Sequence, residues 1–454
     1  MDYGEKNILV LGAGSSGIGA AWVLAQLHAN VVLNDYKPVE FESSTRKKLD
    51  DAGVTIITGR QDNSLLNGVE RIVISPGIAL SIPIVQEAFN RHIEVVSEVE
   101  LAYDVCKSPI LGVTGTNGKT TTTTLLTQVM ESTGLPIKVG GNIGDSLSEA
   151  AFNMPEGGYL IAELSSYQLE TIKSFCPLGA IVLNVTPDHL ARHKTMENYA
   201  AAKARIFMNQ NAENFVVLND DDPIVAAMKK DVHSKILSIS QHHKVECGAY
   251  FEGNTCYAVL NGNVISVIDT EQIHIKGAHN IENILSVIAL TYALGVDVER
   301  IKRTIENFHG VEHRLERVTT IHDVTFYNDS KATNTDSVVK ALDAFDKPVI
   351  LLAGGHDKMT PLEDFMNVVK KNTKEVIFMG EAAERFESVA TKVGVTNIHR
   401  SQSMKEAVEL GYKLAEPSDI VLLSPACSSF DWYSCFEERG DDFKKCVKEL
   451  EERG

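Results

Sequence analysis

The sequence has no Cys-x-x-Cys pair, and its seven cysteines are scattered and odd in number. That pattern fits neither a disulfide framework nor a zinc site and points to reduced thiols in a cytoplasm. No apolar run is long enough to span a bilayer. The opening residues Met1-Asp2-Tyr3-Gly4-Glu5 carry neither the basic nor the apolar region of a signal peptide. Basic residues are in deficit: 43 Lys and Arg stand against 61 Asp and Glu, a net charge of −18. A nucleic-acid binder needs a basic footprint, so that class is set aside. Any anionic substrate must then be met by a local basic cluster. Short repeats and low-complexity segments are absent too. The expectation is a cytoplasmic monomer that neither inserts into a membrane nor binds nucleic acid.

What is present is three α/β blocks. The 454 residues exceed one core and suggest about three domains at ~150 residues each. In the first block, 7–11, 31–33 and 71–74 read as strands and 17–28 as a helix. In the second, 159–164, 180–185 and 215–218 are strands and 281–294 a long apolar helix. Residues 247–275 are β-like, with turn pairs such as Asn261-Gly262. In the third, 325–327, 349–352, 376–379 and 420–423 are strands. The expected fold is α/β in three domains: Rossmann-like at 1–106, a P-loop mononucleotide-binding parallel sheet at 107–309, and Rossmann-like again at 310–454.

The strongest motif is Gly112-Val113-Thr114-Gly115-Thr116-Asn117-Gly118-Lys119-Thr120-Thr121. An apolar run precedes it and a helical pattern, 120–130, follows. A strand, a Gly-rich loop and a helix N-terminus make an anion cradle, because backbone N–H groups and the helix dipole both favour negative charge. Lys119 can reach the outer phosphates and the Thr120 hydroxyl can hold Mg²⁺. The strict P-loop spacing needs Gly at 113. Val113 stands there, so the match is to a tighter variant.

Other polar residues collect after strands. Gly12-x-Gly14-x-x-Gly17, with Asp35 ending the second strand, has the dinucleotide pattern, which fits any nucleoside diphosphate. A tight structural turn and a nicotinamide dehydrogenase are the alternatives. Glu163 ends a buried strand, where an acid faces the ligand crevice and can bind Mg²⁺. Asp188 and His189 come to the same edge, and His189 reads as a ligand or substrate contact. Lys203, by spacing alone, is ordinary helix surface. Asn280 reads as a helix cap, and Asn283, one turn on, as a reader of a purine edge. Arg314 at the second boundary can stabilise transferring phosphate charge, or form a hinge salt bridge. Residues 328–334, 354–358 and 424–430 supply Lys331, Lys358 and hydroxyls to a basic pocket.

Together these stretches resemble the Mur ligase family, ATP-dependent amide ligases that build the peptide of bacterial peptidoglycan. The resemblance covers essentially the whole chain. The phosphate loop and His279-Asn280-x-x-Asn283 are family-wide. Residues 163–170, 328–334 and Ser424-Pro425-Ala426-Cys427 are narrower and resemble the D-glutamate-adding branch. The resemblance implies ATP contacts at Gly115, Thr116, Asn117, Gly118, Lys119, Thr120, Thr121, Asn280, Asn283, Arg314, Asp329 and Lys331. It implies one Mg²⁺ on Thr120 and Glu163, and a second on His189 and a carbamylated Lys203. Lys119, His189, Lys203 and Arg314 would be the catalytic set. A UDP-sugar would lie along Ser15, Ser16, Asp35, Tyr36, Lys37, Ser75, Gly77, Asn142 and His189. D-glutamate would be held by Thr333, Lys358, Ser429 and the backbone around Phe436. The implied reaction phosphorylates the alanine carboxylate of UDP-N-acetylmuramoyl-L-alanine with ATP, and the D-glutamate amine attacks the acyl phosphate. A folate polyglutamate synthase would share the two larger domains but lack the first block. A nucleotide-controlled binding protein would close on ATP without ligation.

Overall fold

The computed structural model describes residues 2–275, 277–345, 347–357 and 362–453. Among them the strands form three sheets. The chain divides into two compact units, one ending at Phe308 and the other beginning at His309. The first two sheets belong to the first unit.

The first sheet is wholly parallel, in the order Thr55–Thr58, Asn30–Asp35, Asn7–Leu11, Arg71–Ile74, Glu94–Ser97. Asn7–Leu11 takes the middle because Ile8 to Leu11 are all buried, as a strand covered on both faces requires. Its chain turns at Gly12, at φ +98°, into the helix Ser15–Gln26. A Cβ at Gly17 would lie 1.8 Å from the Gly12 carbonyl oxygen, so helix and strand meet this closely only with glycine. A Cβ at Gly14 would meet nothing within 4 Å, which leaves that backbone open to an approaching ligand.

The second sheet has nine strands, in the order Asn263–Asp269, Thr255–Leu260, Gly248–Glu252, Lys235–Ser240, Phe215–Asn219, Gly179–Val182, Ile110–Thr114, Tyr159–Glu163, Ile137–Gly141. From Gly248–Glu252 onward it is parallel. The parallel sheet expected here is therefore mixed: its far edge is an antiparallel meander. Asn261 and Gly262, at φ +52° and +79°, make a tight turn with both central residues left-handed. Tyr250 stacks on its cross-strand partner Tyr257 at 5.1 Å.

The third sheet runs Glu316–Ile321, Val324–Asn328, Ile420–Leu423, Val349–Gly354, Thr373–Met379, Ile398–Ser401. Its first pair is antiparallel and the rest are parallel.

Several element bounds differ by a few residues from the sequence reading, and three of the elements concerned bear on the site. The strand expected at 180–185 is Gly179–Val182. Beyond it the backbone leaves the ladder, and the Val185 N–H donates to Asp222 Oδ2 at 2.8 Å. The helix that carries Lys203 is Met196–Ala204, its start set by Thr195, which caps it by accepting from the Asn198 N–H. The helix Ala278–Ala293 has Gly277 as its N-cap, so Asn280 lies in the first turn and is not the cap. Among the described residues, no helix is long and apolar enough to cross a membrane.

Candidate active site

The strand Ile110–Thr114 is buried throughout, Val113 included. The loop is thus only residues 115–118, which accounts for the missing glycine at 113. Gly118 sits at φ +83° as N-cap of the helix Lys119–Glu131. A Cβ there would fall 2.3 Å from Asn283 Oδ1. Asn283 is buried and does not present a free edge: it accepts from the Thr122 hydroxyl at 3.1 Å and donates to Asn280 Oδ1 at 3.1 Å. Its carboxamide packs against Gly118 at the end of the loop. Lys119 folds back over the cradle, donating to the carbonyls of Gly115 and Thr116 at 3.0 and 2.8 Å.

Glu163 ends Tyr159–Glu163 with no exposed surface. Its Oε1 accepts from Asn142 Nδ2 at 2.8 Å. Its Oε2 is buried without a hydrogen-bond partner. A buried carboxylate oxygen with nothing to accept from is costly and is the donor type a hard cation takes. The residues present therefore fit a Mg²⁺ ion held by Glu163, with the Thr120 hydroxyl in the first turn of the loop helix.

Lys203 is not helix surface, as its spacing suggested: it is 1% exposed. Its Nζ donates to the Gly115 carbonyl at 2.7 Å and lies 4.5 Å from the Tyr199 ring centroid. Burial, then the neighbouring Lys119 charge, push its amine down to about 6, against a smaller upward pull from Asp188. The hydroxyl of Tyr199 meets Thr116 Oγ at 3.2 Å. His189 packs edge-on to the same tyrosine, centroids 6.0 Å apart, at φ +54°. Tyr199 thus joins the phosphate loop, Lys203 and His189.

In the first sheet, Asp35 holds the glycine loop: its two oxygens accept from the backbone N–H groups of Ala13 and Lys37 at 2.9 and 3.0 Å. Ser75 Oγ donates to the Gly12 carbonyl at 3.2 Å. Tyr36, next in sequence to Asp35, stands 69% exposed.

In the second unit the loops after three strands are stitched together. The Ala426 N–H donates to the Ala332 carbonyl and the Gly354 N–H to the Pro425 carbonyl. Asp329 is buried beneath them, accepting from the Ser424 hydroxyl at 2.6 Å and the Leu315 N–H at 3.2 Å. Burial pushes its carboxyl up to about 7, while Ser424, Leu315 and Arg314 pull it back. Lys331 Nζ lies 5.7 Å from the Phe436 ring centroid, and Ser330 donates to the Phe436 carbonyl. Ser429 is buried, its carbonyl accepting from the N–H groups of Trp432 and Tyr433. Lys358 lies outside the described residues. Glu312, His313 and Asp441 bring ligand atoms within 4.8 Å of one another. The Lys444 ammonium already stands among these acids, 3.1 Å from Asp441, so the group is an ion-pair cluster.

Three family models cover the chain in order. Residues 6–97 match the Mur ligase MurD-like N-terminal domain, 113–291 the Mur ligase middle domain, and 313–427 the Mur ligase glutamate ligase domain. The chain belongs to the Mur ligase family. As a Mur ligase it is 42% identical over 452 residues to the UDP-N-acetylmuramoylalanine–D-glutamate ligase of Caldanaerobacter subterraneus subsp. tengcongensis, covering 99% of this chain and 100% of that one. It is 39% identical over 455 residues to the ligase of the same name from Clostridioides difficile, again with 99% and 100% covered. Among solved structures it shares the fold of the UDP-N-acetylmuramate–alanine ligase of Thermotoga maritima. The TM-score is 0.58 at 18% identity, covering 98% of this chain and 99% of that one.

The first unit of this Mur ligase brings together Gly115 to Thr121, Asn142, Glu163, His189, Lys203, Asn280 and Asn283. The second brings together Asp329, Lys331, Ser429 and Phe436. Sequence reasoning gave no role to Tyr199, Glu170 or Arg192. Tyr199 had a faint signal, an aromatic one helical turn before Lys203. Glu170 closed the 163–170 stretch without a role of its own, and Arg192 had no signal.

Proposed function

We propose that this Mur ligase joins D-glutamate to the terminal alanine carboxylate of UDP-N-acetylmuramoyl-L-alanine, with ATP converted to ADP and phosphate, as a cytoplasmic monomer in peptidoglycan synthesis. One observation carries the reading. A phosphate cradle, an orphaned buried carboxylate and a desolvated lysine share one sheet edge, in a chain aligned end to end with ligases named for this reaction.

A carboxylate is a poor electrophile, so its oxygen must first become a leaving group. Phosphoryl transfer from ATP gives an acyl phosphate. The D-glutamate amine attacks its carbonyl carbon, and the tetrahedral intermediate expels phosphate as it collapses. Lys119, released from its two carbonyls, would neutralise charge on the transferring group, and Arg314 would add to it. Thr120 and Glu163 would hold one Mg²⁺, and His189 with a carbamylated Lys203 a second. Bound magnesium supplies charge neutralisation at the phosphate oxygens. Carbamate formation needs a neutral amine, which adds to CO₂ and releases a proton. An amine lowered to about 6 is mostly neutral at pH 7.

The remaining contacts follow the family. Gly115 to Thr121, Asn280, Asp329 and Lys331 would touch ATP, with Asn283 supporting the loop. Ser15, Ser16, Asp35, Tyr36, Lys37, Ser75, Gly77, Asn142 and His189 would hold the UDP-sugar. Thr333, Lys358, Ser429 and the Phe436 backbone would hold the amino acid.

The test is phosphate release from ATP and Mg²⁺ with UDP-N-acetylmuramoyl-L-alanine, across a panel of D- and L-amino acids. Release that requires both the UDP-sugar and D-glutamate is expected. Release with ATP alone, or with L-glutamate equally, would defeat the reading.

A further inference from the structure

Arg192 makes a contact set that the chemistry above does not use. Its guanidinium grips Glu170 from two sides: Nη2 donates to Oε2 at 2.6 Å, and Nε lies 3.2 Å from both oxygens. The remaining donors cross to the first sheet. Nη1 donates to the Pro76 carbonyl at 2.9 Å and Nη2 to the Ile78 carbonyl at 3.0 Å. The Tyr167 ring backs the group, its centroid 4.2 Å from Cζ. Both side chains are largely withdrawn from water, at 19% and 16% exposure, so the pair is weakly screened. The planar fork is what lets one side chain satisfy a carboxylate and two carbonyls together.

The two ends of this clamp are informative. Pro76 and Ile78 flank Gly77 in the loop after Arg71–Ile74, and that loop rests on the glycine turn. A Cβ at Gly12 would lie 2.7 Å from Ser75 Cβ and 3.3 Å from Ile78 Cγ1. At the other end, Arg192 lies three residues after His189, on the short helix Leu190–His193. Glu170 follows the helix Ser166–Leu169, which begins just after Glu163. Glu170 also stands 3.6 Å from His193 Nδ1, while His193 Nε2 bonds Ser166 Oγ at 2.9 Å. One side chain therefore registers the loop at the nucleotide end of the first sheet against the segments that carry Glu163 and His189.

We propose that Arg192, gripped by Glu170, is a positioning residue that fixes the spacing between the subsite for the uridine diphosphate end of the substrate and the subsite for its acyl end. This rests on the function proposed above. A ligand that bridges two rigidly spaced subsites binds its second half as an intramolecular event, with a high effective concentration. Loosening the spacing removes that advantage and leaves the binding of either half alone.

The experiment compares UDP with UDP-N-acetylmuramoyl-L-alanine by calorimetric titration of the full-length protein, for wild type, Arg192→Met, Arg192→Lys and Glu170→Gln. Melting temperature and ATP affinity serve as folding controls. Arg192→Met is expected to weaken the full substrate by roughly tenfold or more while UDP changes by less than roughly threefold. In turnover, KM for the UDP-sugar should rise with KM for ATP held. Arg192→Lys, a point charge without the fork, should recover only part of the loss, and Glu170→Gln should lose in the same direction. Equal weakening of UDP and full substrate, or no weakening of either, overturns the proposal. Failure of the wild-type protein to bind either ligand overturns the functional reading instead, and with it the premise.

Discussion

Lys119 and Lys203 donate to the same acceptor, the carbonyl of Gly115, at 3.0 and 2.7 Å. Two amines on one oxygen cannot both keep a full charge cheaply, and the buried member yields: the proximity of Lys119 lowers the Lys203 amine further than burial alone. One loop carbonyl thus gathers two amines from separate helices, and burial with the Lys119 charge favours the neutral form of Lys203.

Lys119→Ala should reduce phosphate release by on the order of 10²–10³-fold, the usual consequence of removing one positioned charge stabiliser. Two hydrogen bonds to loop carbonyls are lost with it, so the melting temperature should fall only slightly. Steady-state phosphate release and a thermal melt check both. A kcat near that of wild type would take Lys119 out of the chemistry.

Lys203 separates two roles. If it acts as a carbamate, Lys203→Ala should be inactive and regain part of its turnover in acetate or formate, which fill the vacated space with a carboxylate. Lys203→Arg, permanently charged, should be inactive and beyond such rescue. Turnover of both variants in increasing formate is the measurement. A flat response in Lys203→Ala would leave the lysine as a structural amine only.

The contrast between Lys119 and Lys203 also marks how far the sequence could be read. Lys119 was legible because its role follows from local order: strand, glycine turn, helix. The strands 7–11, 71–74 and 420–423 were legible because three or four successive apolar residues bounded by turns leave little alternative. Lys203 was not legible, because its burial comes from Tyr199 and the Gly115 carbonyl, 88 residues away. Short strands such as Thr55–Thr58 and Ile398–Ser401 went unread for a related reason. They lie at sheet edges, are only partly buried, and carry little apolar patterning. The antiparallel meander at 248–269 was sensed through Asn261-Gly262, but its attachment to a parallel sheet depends on pairing that no local motif encodes. Arg192 and Glu170 are 22 residues apart and meet only after the segments that carry them fold, so their clamp had no linear signature.

Glu163 yields a prediction in which stability and function diverge. Glu163→Gln keeps an oxygen to accept from Asn142 and removes a buried negative charge. Its melting temperature without metal should match or exceed that of wild type. The Mg²⁺ concentration for half-maximal phosphate release should rise at least roughly tenfold, as loss of a ligand-sphere group does, and the stabilisation by Mg²⁺ with ATP should shrink. Thermal melts across a Mg²⁺ series give both readings. An unchanged Mg²⁺ requirement would exclude Glu163 from the metal.

Asp329 sets a pH dependence. Its carboxyl is raised from 3.8 to about 7 by burial. Between those values the folded chain binds a proton that the unfolded chain has released, so stability falls as pH rises through the window. The contribution is fully present below about 4, lost by the time pH passes 7, and flat beyond. Asp329→Asn carries no titratable proton and should lose less stability than wild type between pH 5 and pH 8. The difference in melting temperature between variant and wild type should therefore shift in favour of the variant across that interval. The measurement is a series of thermal melts of the full chain at half-unit steps. Parallel curves for the two proteins would mean that Asp329 is ionised throughout, with Arg314 and Ser424 outweighing its burial.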